Sequence, residues 1–330
     1  MATPFKVSVR LIAYNHEKFI AEAIEGVLAQ KANFPIELIV GDDFSSDNTL
    51  SIAKQYTSTS TISVTVLDRQ KGDAYWVKRQ KLGRLFNNTD TLSKCTGKYV
   101  ALLDGDDFWI DPLKLQKQVD FLEAHADFAI CFHNINKCWV NDEGKTWITD
   151  APNIAREVST FENLCAEGCF IQTSSILFRN GLIKDFPEWY YSAPYGDWPL
   201  YTMLAHFGKI EKLPDIMSSH REHSGGIYKN QFKNGAFGVH TLKLIETMDK
   251  HYNHAYHKFF YAHNRILTLT GMALNYYKST KNFGQTLYYS FKLIVLKSRD
   301  TKITLANIKK LFGFIFQLFG AKNRPQGQSK

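Results

Sequence analysis

Short apolar runs alternate with stretches of helical spacing through the first part of the chain. Residues 7–12 alternate in hydrophobicity and are rich in branched side chains, which predicts a strand. Asn15 stands at a helix-cap position before Phe19, Ile20, Ala23, Ile24, Val27 and Leu28, which recur on one helical face. A second apolar run at 36–40 is bounded by Pro35 and Gly41. Ser45, Ser46 and Asp47 then offer caps for a helix through Leu50, Ile52 and Ala53. Residues 62–67 and 99–103 predict two more strands, and Pro112 opens a helix through Leu113, Gln116, Val119, Phe121 and Leu122. This order predicts βαβ units, hence an α/β fold with a mostly parallel central sheet and helices flanking both faces.

From about residue 126 to 225 the pattern mixes short strands, loops and aromatic clusters. Beyond Tyr228 it changes. Stretches at 242–248, 259–277, 287–296 and 303–319 have helical spacing, with lysines on one side and aromatics on the other. Two domains are expected: one over 1–227, and a basic, aromatic-rich helical region over 228–330. Residues 321–330 are polar and expected to fray. There is no internal repeat.

Composition sharpens that division. Of 330 residues 44% are hydrophobic, ample for a sizeable core and too apolar for general disorder. The net charge of +8 hides an asymmetry. Residues 228–330 hold 17 Lys+Arg against 3 Asp+Glu, while residues 1–227 hold 23 against 29. A basic tail points to nucleic acid or an anionic membrane surface. No charged start followed by an apolar run marks a secretory signal, and the best spanning candidate, 311–319, is half the roughly 18 residues a membrane helix needs. The five cysteines, Cys95, Cys131, Cys138, Cys165 and Cys169, form no CxxC pair and read as buried free thiols. A cytoplasmic protein is expected.

The carboxylates carry the chemistry. In an open α/β sheet ligands bind at the carboxyl ends of the strands, and two acidic words fall there. Gly41-Asp42-Asp43-Phe44-Ser45-Ser46-Asp47 could hydrogen-bond a nucleobase and ribose, or merely cap the next helix. Asp104-Gly105-Asp106-Asp107-Phe108-Trp109 crowds three carboxylates into four positions, which repel unless a cation joins them. Mg²⁺ or Mn²⁺ commonly links such carboxylates to substrate phosphates. A solvated acidic turn is the plainer alternative. An aspartyl-phosphate phosphatase fits poorly, since Phe108 stands where Thr or Val is usual.

These words, with Val7-Ser8-Val9, Ala13-Tyr14-Asn15, Gly97-Lys98-Tyr99 and the run from Asp111-Pro112 to Gln118, resemble family 2 glycosyltransferases of the GT-A fold. The likeness covers residues 5 to about 228 and is closest to bacterial members that build capsule, O-antigen or lipopolysaccharide glycans. It implies a Rossmann-like, mostly parallel sheet followed by a helical C-terminal region. It also implies inverting transfer from a nucleoside-diphosphate sugar to the hydroxyl of a glycan or lipid-linked glycan acceptor.

Further site residues follow from the same resemblance. Tyr195-Gly196-Asp197-Trp198 looks like the segment that carries the catalytic base, Asp197, with Gly196 where many relatives have an acid. His220-Arg221-Glu222-His223-Ser224-Gly225-Gly226 is similar to a Tyr-Arg-x-His-x-Gly-Gly word, His220 replacing the tyrosine. The resemblance assigns Asp106, Asp107 and His223 to the metal, Mn²⁺ or Mg²⁺. Ala13, Asn15, Asp42, Asp43, Asp104, Asp106 and Arg221 go to the nucleotide sugar, with Asp43 on the base, Asp104 on the ribose or the metal, and Arg221 on a phosphate. Asp197 alone would read as a helix cap, His223 as a loop histidine and Gly225-Gly226 as a hinge. Lys78, Arg79, Lys81 and Arg84 read as a solvated helix face, with a phosphate clamp as the alternative.

Other functions fit less well. The basic tail lacks the words of nucleic-acid modules, and its interleaved aromatics suit an anionic lipid surface better, placing the protein at the inner face of the cell membrane. Packing on the first domain or on a second copy is the plainer alternative. An inactive scaffold would not need Asp106, Asp107, Asp197 and His223 together. A sugar-nucleotidyltransferase would carry a Gly-rich basic loop where Ala13-Tyr14-Asn15-His16 stands.

Overall fold

The computed structural model describes residues 5–151, 156–226 and 236–301, with side chains to 296. The described residues divide into two compact units. One comprises those within Met1–Ile227 and Thr247–Phe260, the other those within Tyr228–Glu246 and Tyr261–Lys330. Residues 247–260, basic-tail residues by charge, therefore pack with the first unit. The segments 303–319 and 321–330 and the boundary at Tyr228 lie outside the described residues.

The first unit is built on one sheet. Its strands are β1 Val7–Ala13, β2 Ile36–Asp42, β3 Ile62–Val66, β4 Tyr99–Asp104, β5 Phe108–Trp109, β6 Phe128–Val140, β7 Thr146–Asp150, β8 Val158–Ser159, β9 Leu177–Arg179 and β10 Lys209–Glu222. They run in the order β3-β2-β1-β4-β9-β6-β10-β5, with β7 beside β6 and β8 beside β10. The block β3-β2-β1-β4 is parallel, β9 is antiparallel to both its neighbours, and β6 and β10 are again parallel. This is the α/β sheet the periodicity predicts, with a mixed second half.

Helices cover it: α1 Ile20–Leu28, α2 Thr49–Ala53, α3 Ala74–Leu82, α4 Leu85–Leu92, α5 Lys114–Ala124, α6 Phe161–Glu167, α7 Glu188–Tyr191 and α8 Asp197–Ala205. Val7, Val9 and Leu11 face Ile20, Ile24 and Val27 in a dry core that also takes in Leu38, Val40, Leu103 and Leu115. Each such side chain removed from water contributes about 1.5–3 kcal/mol. Asn15 does not cap α1, which starts after Phe19. Its backbone is left-handed (φ 56°) and its side chain accepts from Ser46 N at 2.8 Å. A short polar side chain that bonds locally tolerates that conformation.

Four helices follow: α9 Ala236–His251, α10 His257–Phe260, α11 His263–Ser279 and α12 Phe283–Thr301. The periodic stretch 259–277 is thus interrupted, because Ala262 is extended (φ −51°, ψ 125°) and separates α10 from α11. In the second unit α11 and α12 form a hairpin turned through Lys281 (φ 55°), with Tyr277 stacked on Tyr289 at 5.3 Å. Among the described residues no helix is long and apolar enough to cross a membrane.

Candidate active site

The register brings the acidic words together. Ala13 pairs with Asp42 across β1–β2, and Ile12 with Asp104 across β1–β4. Three strands therefore end at one level, and their loops interlock. Asp43 N donates to Ala13 O at 2.9 Å, Gly105 N to Ile12 O at 2.8 Å, and Asn15 N to Ser45 Oγ at 2.9 Å. A Cβ on Gly105 would stand 2.9 Å from His16 Nδ1 and 3.0 Å from Ile20 Cδ1, so the β4 turn closes this tightly only with glycine.

The carboxylates then take different tasks. Asp106 lies 3.2 Å from His223 Nε2 and 3.7 Å from His16 Nε2. Burial raises the Asp106 pKa, but the hydrogen bond from His223 and the charges of His16, His223 and His220 outweigh it and hold the group at about 2. Asp104 faces the buried Arg10 at 3.4 Å. Burial pushes it up to about 7; Arg10 opposes this, while Asp106, Asp107 and Asp197 add to it. Asp107 is turned to β10 and accepts from Arg221 N at 2.9 Å, with His220 Nδ1 at 3.0 Å. His220 loses by burial but gains more from Asp107, Asp106 and Glu222, which raise it to about 9.

The β2 end is similarly engaged. Asp42 accepts from Ser45 N at 2.9 Å and from the Ser45 hydroxyl, and burial raises its pKa despite those bonds. Asp43 is held by Arg79 through Nε at 2.9 Å and Nη2 at 2.7 Å, and by Tyr75 OH at 2.9 Å. Beside these loops lies a pocket of about 210 Å³ lined by Asp42, Phe44, Ser45, Leu50, Leu67 and Arg69. The Arg221 guanidinium pairs with Glu22 and lies between Phe19 and Phe108, 4.6 and 4.7 Å from their ring centres. Arg221 thus seats the β10 loop on α1, and its charge is already paired.

Asp197 is the first residue of α8, with Gly196 as the cap. Its Oδ1 accepts from Trp198 N at 2.8 Å, and Cys169 Sγ donates to Oδ2 at 3.7 Å. Burial raises its pKa, and these bonds and Arg84 counteract. The charge of Asp197 is felt at Asp104, across the β4 end of the site.

Two expectations are corrected here. The basic face of α3 is not uniformly solvated: Lys78 and Lys81 are exposed, but Arg79 grips Asp43, and Arg84 is half-buried and donates to Pro194 O. Cys169 is exposed and sits at Asp197, although the other four thiols are buried as expected. His16, Arg10 and Arg69 join the site without being among the expected site residues. His16 adjoins Asn15 in the same word, which is its only sequence signal. Arg10 reads as one polar position in a strand, and Arg69 stands in a loop, yet Arg69 bonds Asp42 O, Asn87, Asp90 and Thr91.

The family described as Glycosyl transferase family 2 matches residues 8–184. The chain belongs to this family. An uncharacterized protein of Mycobacterium tuberculosis is 34% identical over 227 residues, 68% of this chain, and the match spans 61% of that relative's length. The Escherichia coli UDP-Glc:alpha-D-GlcNAc-diphosphoundecaprenol beta-1,3-glucosyltransferase WfaP is 24% identical over 274 residues, covering 82% of this chain and 93% of WfaP. The crystal structure of S. aureus TarS in complex with UDP-GlcNAc aligns with TM-score 0.50 at 19% identity, over 90% of this chain and 92% of that one, a likeness of fold.

Proposed function

We propose that this chain is an inverting glycosyltransferase. It moves a sugar from a nucleoside-diphosphate sugar to an acceptor hydroxyl in the assembly of a bacterial surface glycan. The observation that carries the reading is the convergence of Asp104, Asp106 and His223 at the carboxyl edge of β1, β2 and β4, with Asp197 near enough for its charge to act on Asp104. WfaP, whose name states a UDP-glucose donor and a diphosphoundecaprenol-linked acceptor, supports the substrate class.

In this reading the pocket between Phe44, Leu50 and Leu67 seats the nucleobase. Asp42 shapes that loop, and the Arg79–Asp43 pair fixes α3 against it. Asp106 and His223 supply one hard oxygen and one imidazole nitrogen, a donor set that suits Mn²⁺ and accommodates Mg²⁺ through the carboxylate. When bound, such an ion offsets charge that develops on the departing diphosphate. Asp107, expected as a further ligand, more directly holds β10 through Arg221 N and so presents His223. Asp197 takes the proton of the acceptor hydroxyl as it attacks the anomeric carbon from the face opposite the leaving group, which inverts that centre. Its burial keeps it a stronger base than a free carboxylate. The catalytic domain is 1–227 with the 247–260 segment packed on it, and the basic helices α11 and α12 face an anionic membrane that carries a lipid-linked acceptor.

Incubating the full chain with a panel of UDP-, GDP- and dTDP-sugars and lipid-linked acceptors, with Mn²⁺ or Mg²⁺, tests this. One donor should release nucleoside diphosphate in step with acceptor glycosylation. Release of pyrophosphate from a nucleoside triphosphate and a sugar phosphate would instead identify a nucleotidyltransferase. No turnover with any donor, despite binding, would identify a scaffold.

A further inference from the structure

A second cluster of ligating side chains, sharing no residue with the first, sits at the turn between α9 and α10. After α9 ends at His251 the chain turns through Asn253 and His254, both at positive φ (51° and 60°), before α10 begins at His257. The turn brings three ligating atoms together, all within 4.8 Å of one another. His254 Nδ1 lies 2.7 Å, and His257 Nδ1 2.8 Å, from the same carboxylate oxygen, Asp249 Oδ2. The Asp249 side chain is 2% exposed, whereas the imidazoles are 60% and 58% exposed. Oδ1 of Asp249 is buried with no hydrogen-bond partner among the described residues.

We propose that Asp249, His254 and His257 form a binding site for a divalent transition metal of the Zn²⁺ class, distinct from the nucleotide-sugar site. A buried carboxylate with an unpaired oxygen is costly. Two imidazoles aimed at its other oxygen relieve only part of that cost, whereas a cation among the three compensates the charge itself. Two nitrogens and one oxygen are a donor set that Zn²⁺ accepts, while Ca²⁺ and Mg²⁺ prefer oxygen alone. Tetrahedral Zn²⁺ holds such ligand atoms about 3.3 Å apart, so the contacts need to open by about half an ångström. The two exposed imidazoles can supply that movement. Three protein ligands leave the fourth position to water.

The position suggests what the ion does. Phe161 of α6 packs against Tyr252 at 5.0 Å and Tyr256 at 4.4 Å, and Phe260 lies 6.4 Å from Trp198 of α8. An ion at the turn would staple the end of α9 to α10, and through these rings stiffen the packing of α6 and α8, the helix that begins with Asp197. The role is structural.

Untagged, metal-free full-length protein titrated with Zn²⁺ by calorimetry, and with Co²⁺ by visible absorption, tests the site. Wild type should bind one equivalent that a His254→Ala, His257→Ala variant lacks, and that Asp106→Ala retains. Zn²⁺ should raise the melting temperature of wild type and of Asp106→Ala but not of the double variant. Both histidines are exposed, so their truncation opens no cavity. The double variant is judged by its own melting temperature with and without Zn²⁺, which cancels any stability lost with the two hydrogen bonds to Asp249. Equal stoichiometry and equal thermal shift in the double variant would overturn the site, as would absence of Zn²⁺ binding by wild type. Neither readout needs glycosyl transfer, so failure here leaves the transferase reading standing.

Discussion

His223 Nε2 stands 3.2 Å from Asp106 Oδ2, although 117 positions separate the two residues. The contact joins the end of β4 to the end of β10, the two strands whose loops would enclose a diphosphate. It predicts that Asp106→Ala loses metal-dependent donor binding. His223→Ala, which removes the imidazole donor, should weaken it by at least about 10–100-fold, the range for losing a group that only orients a ligand. Calorimetry with a UDP-sugar, with and without Mn²⁺, measures both. Unchanged Mn²⁺ dependence in Asp106→Ala would remove that residue from the ion.

Asp197→Asn keeps the shape of the α8 start but cannot take a proton. Transfer should fall by about 100- to 10,000-fold, the span for losing a general base. Donor affinity should stay within a few-fold, because the proposed role of Asp197 is on the acceptor hydroxyl. Steady-state kinetics with separate titration of donor and acceptor resolves the two; near-normal turnover would exclude Asp197 as the base.

Cys169 is the exposed thiol among the five, and it lies 3.7 Å from Asp197 Oδ2. Burial raises the Cys95 and Cys131 thiols to about 12, leaving them protonated and slow to react. A mild maleimide treatment should therefore label Cys169 first and block transfer while donor binding persists. Cys169→Ala should be active and resistant. Peptide mapping of the labelled protein checks the site, and labelling at Cys169 without loss of transfer would place it outside the acceptor path.

Lys114 is fully buried on α5, with Nζ 2.6 Å from Gln118 Oε1 and 4.2 Å from the Trp109 ring centre. Burial drives its pKa down to about 7; Cys131 opposes this, and His133 is the other titratable group facing it from β6. The folded chain thus holds this proton less tightly than the unfolded chain, whose lysine titrates near 10.4. The destabilisation is fully present below about pH 7 and fades as pH rises towards 10. Lys114→Met should raise the melting temperature relative to wild type near pH 6.5, and that advantage should shrink by about pH 9.5. Melting curves of both proteins across that range check it, and a pH-independent difference would count against a strained lysine.

Phe283, Leu287 and Phe291 recur every fourth position of α12 and are exposed, as is Tyr288. Aromatic and aliphatic side chains among lysines suit an anionic bilayer surface. Full-length protein should co-sediment with anionic vesicles and release at high salt. Leu287→Ser with Tyr288→Ser should reduce binding without altering turnover of a soluble acceptor. Equal partition of the two proteins would defeat the membrane role of α12.

The parts legible in the sequence are those governed by local periodicity. The strands at 7–13, 36–42, 62–66 and 99–104, and the helix over 114–124, declare themselves by alternation or helical spacing, because a sheet buried on both faces requires apolar runs. Where a single backbone angle decides, the pattern is silent. The break at Ala262 and the left-handed turn at Asn15 cost nothing in hydrophobicity and leave no trace in it.

The α/β class, the acidic words at the strand ends and the basic character of the tail follow from composition and spacing, which are properties of the chain read one residue at a time. Which carboxylate meets which partner is settled only when the strands are assembled. Arg79 takes Asp43, β10 takes Asp107, Arg10 faces Asp104, and His223 with His16 is left for Asp106. Those choices depend on strand register and burial. A carboxylate held at about 2 and another raised to about 7, only two residues apart, differ by the charges brought around them and not by anything in their own side chains.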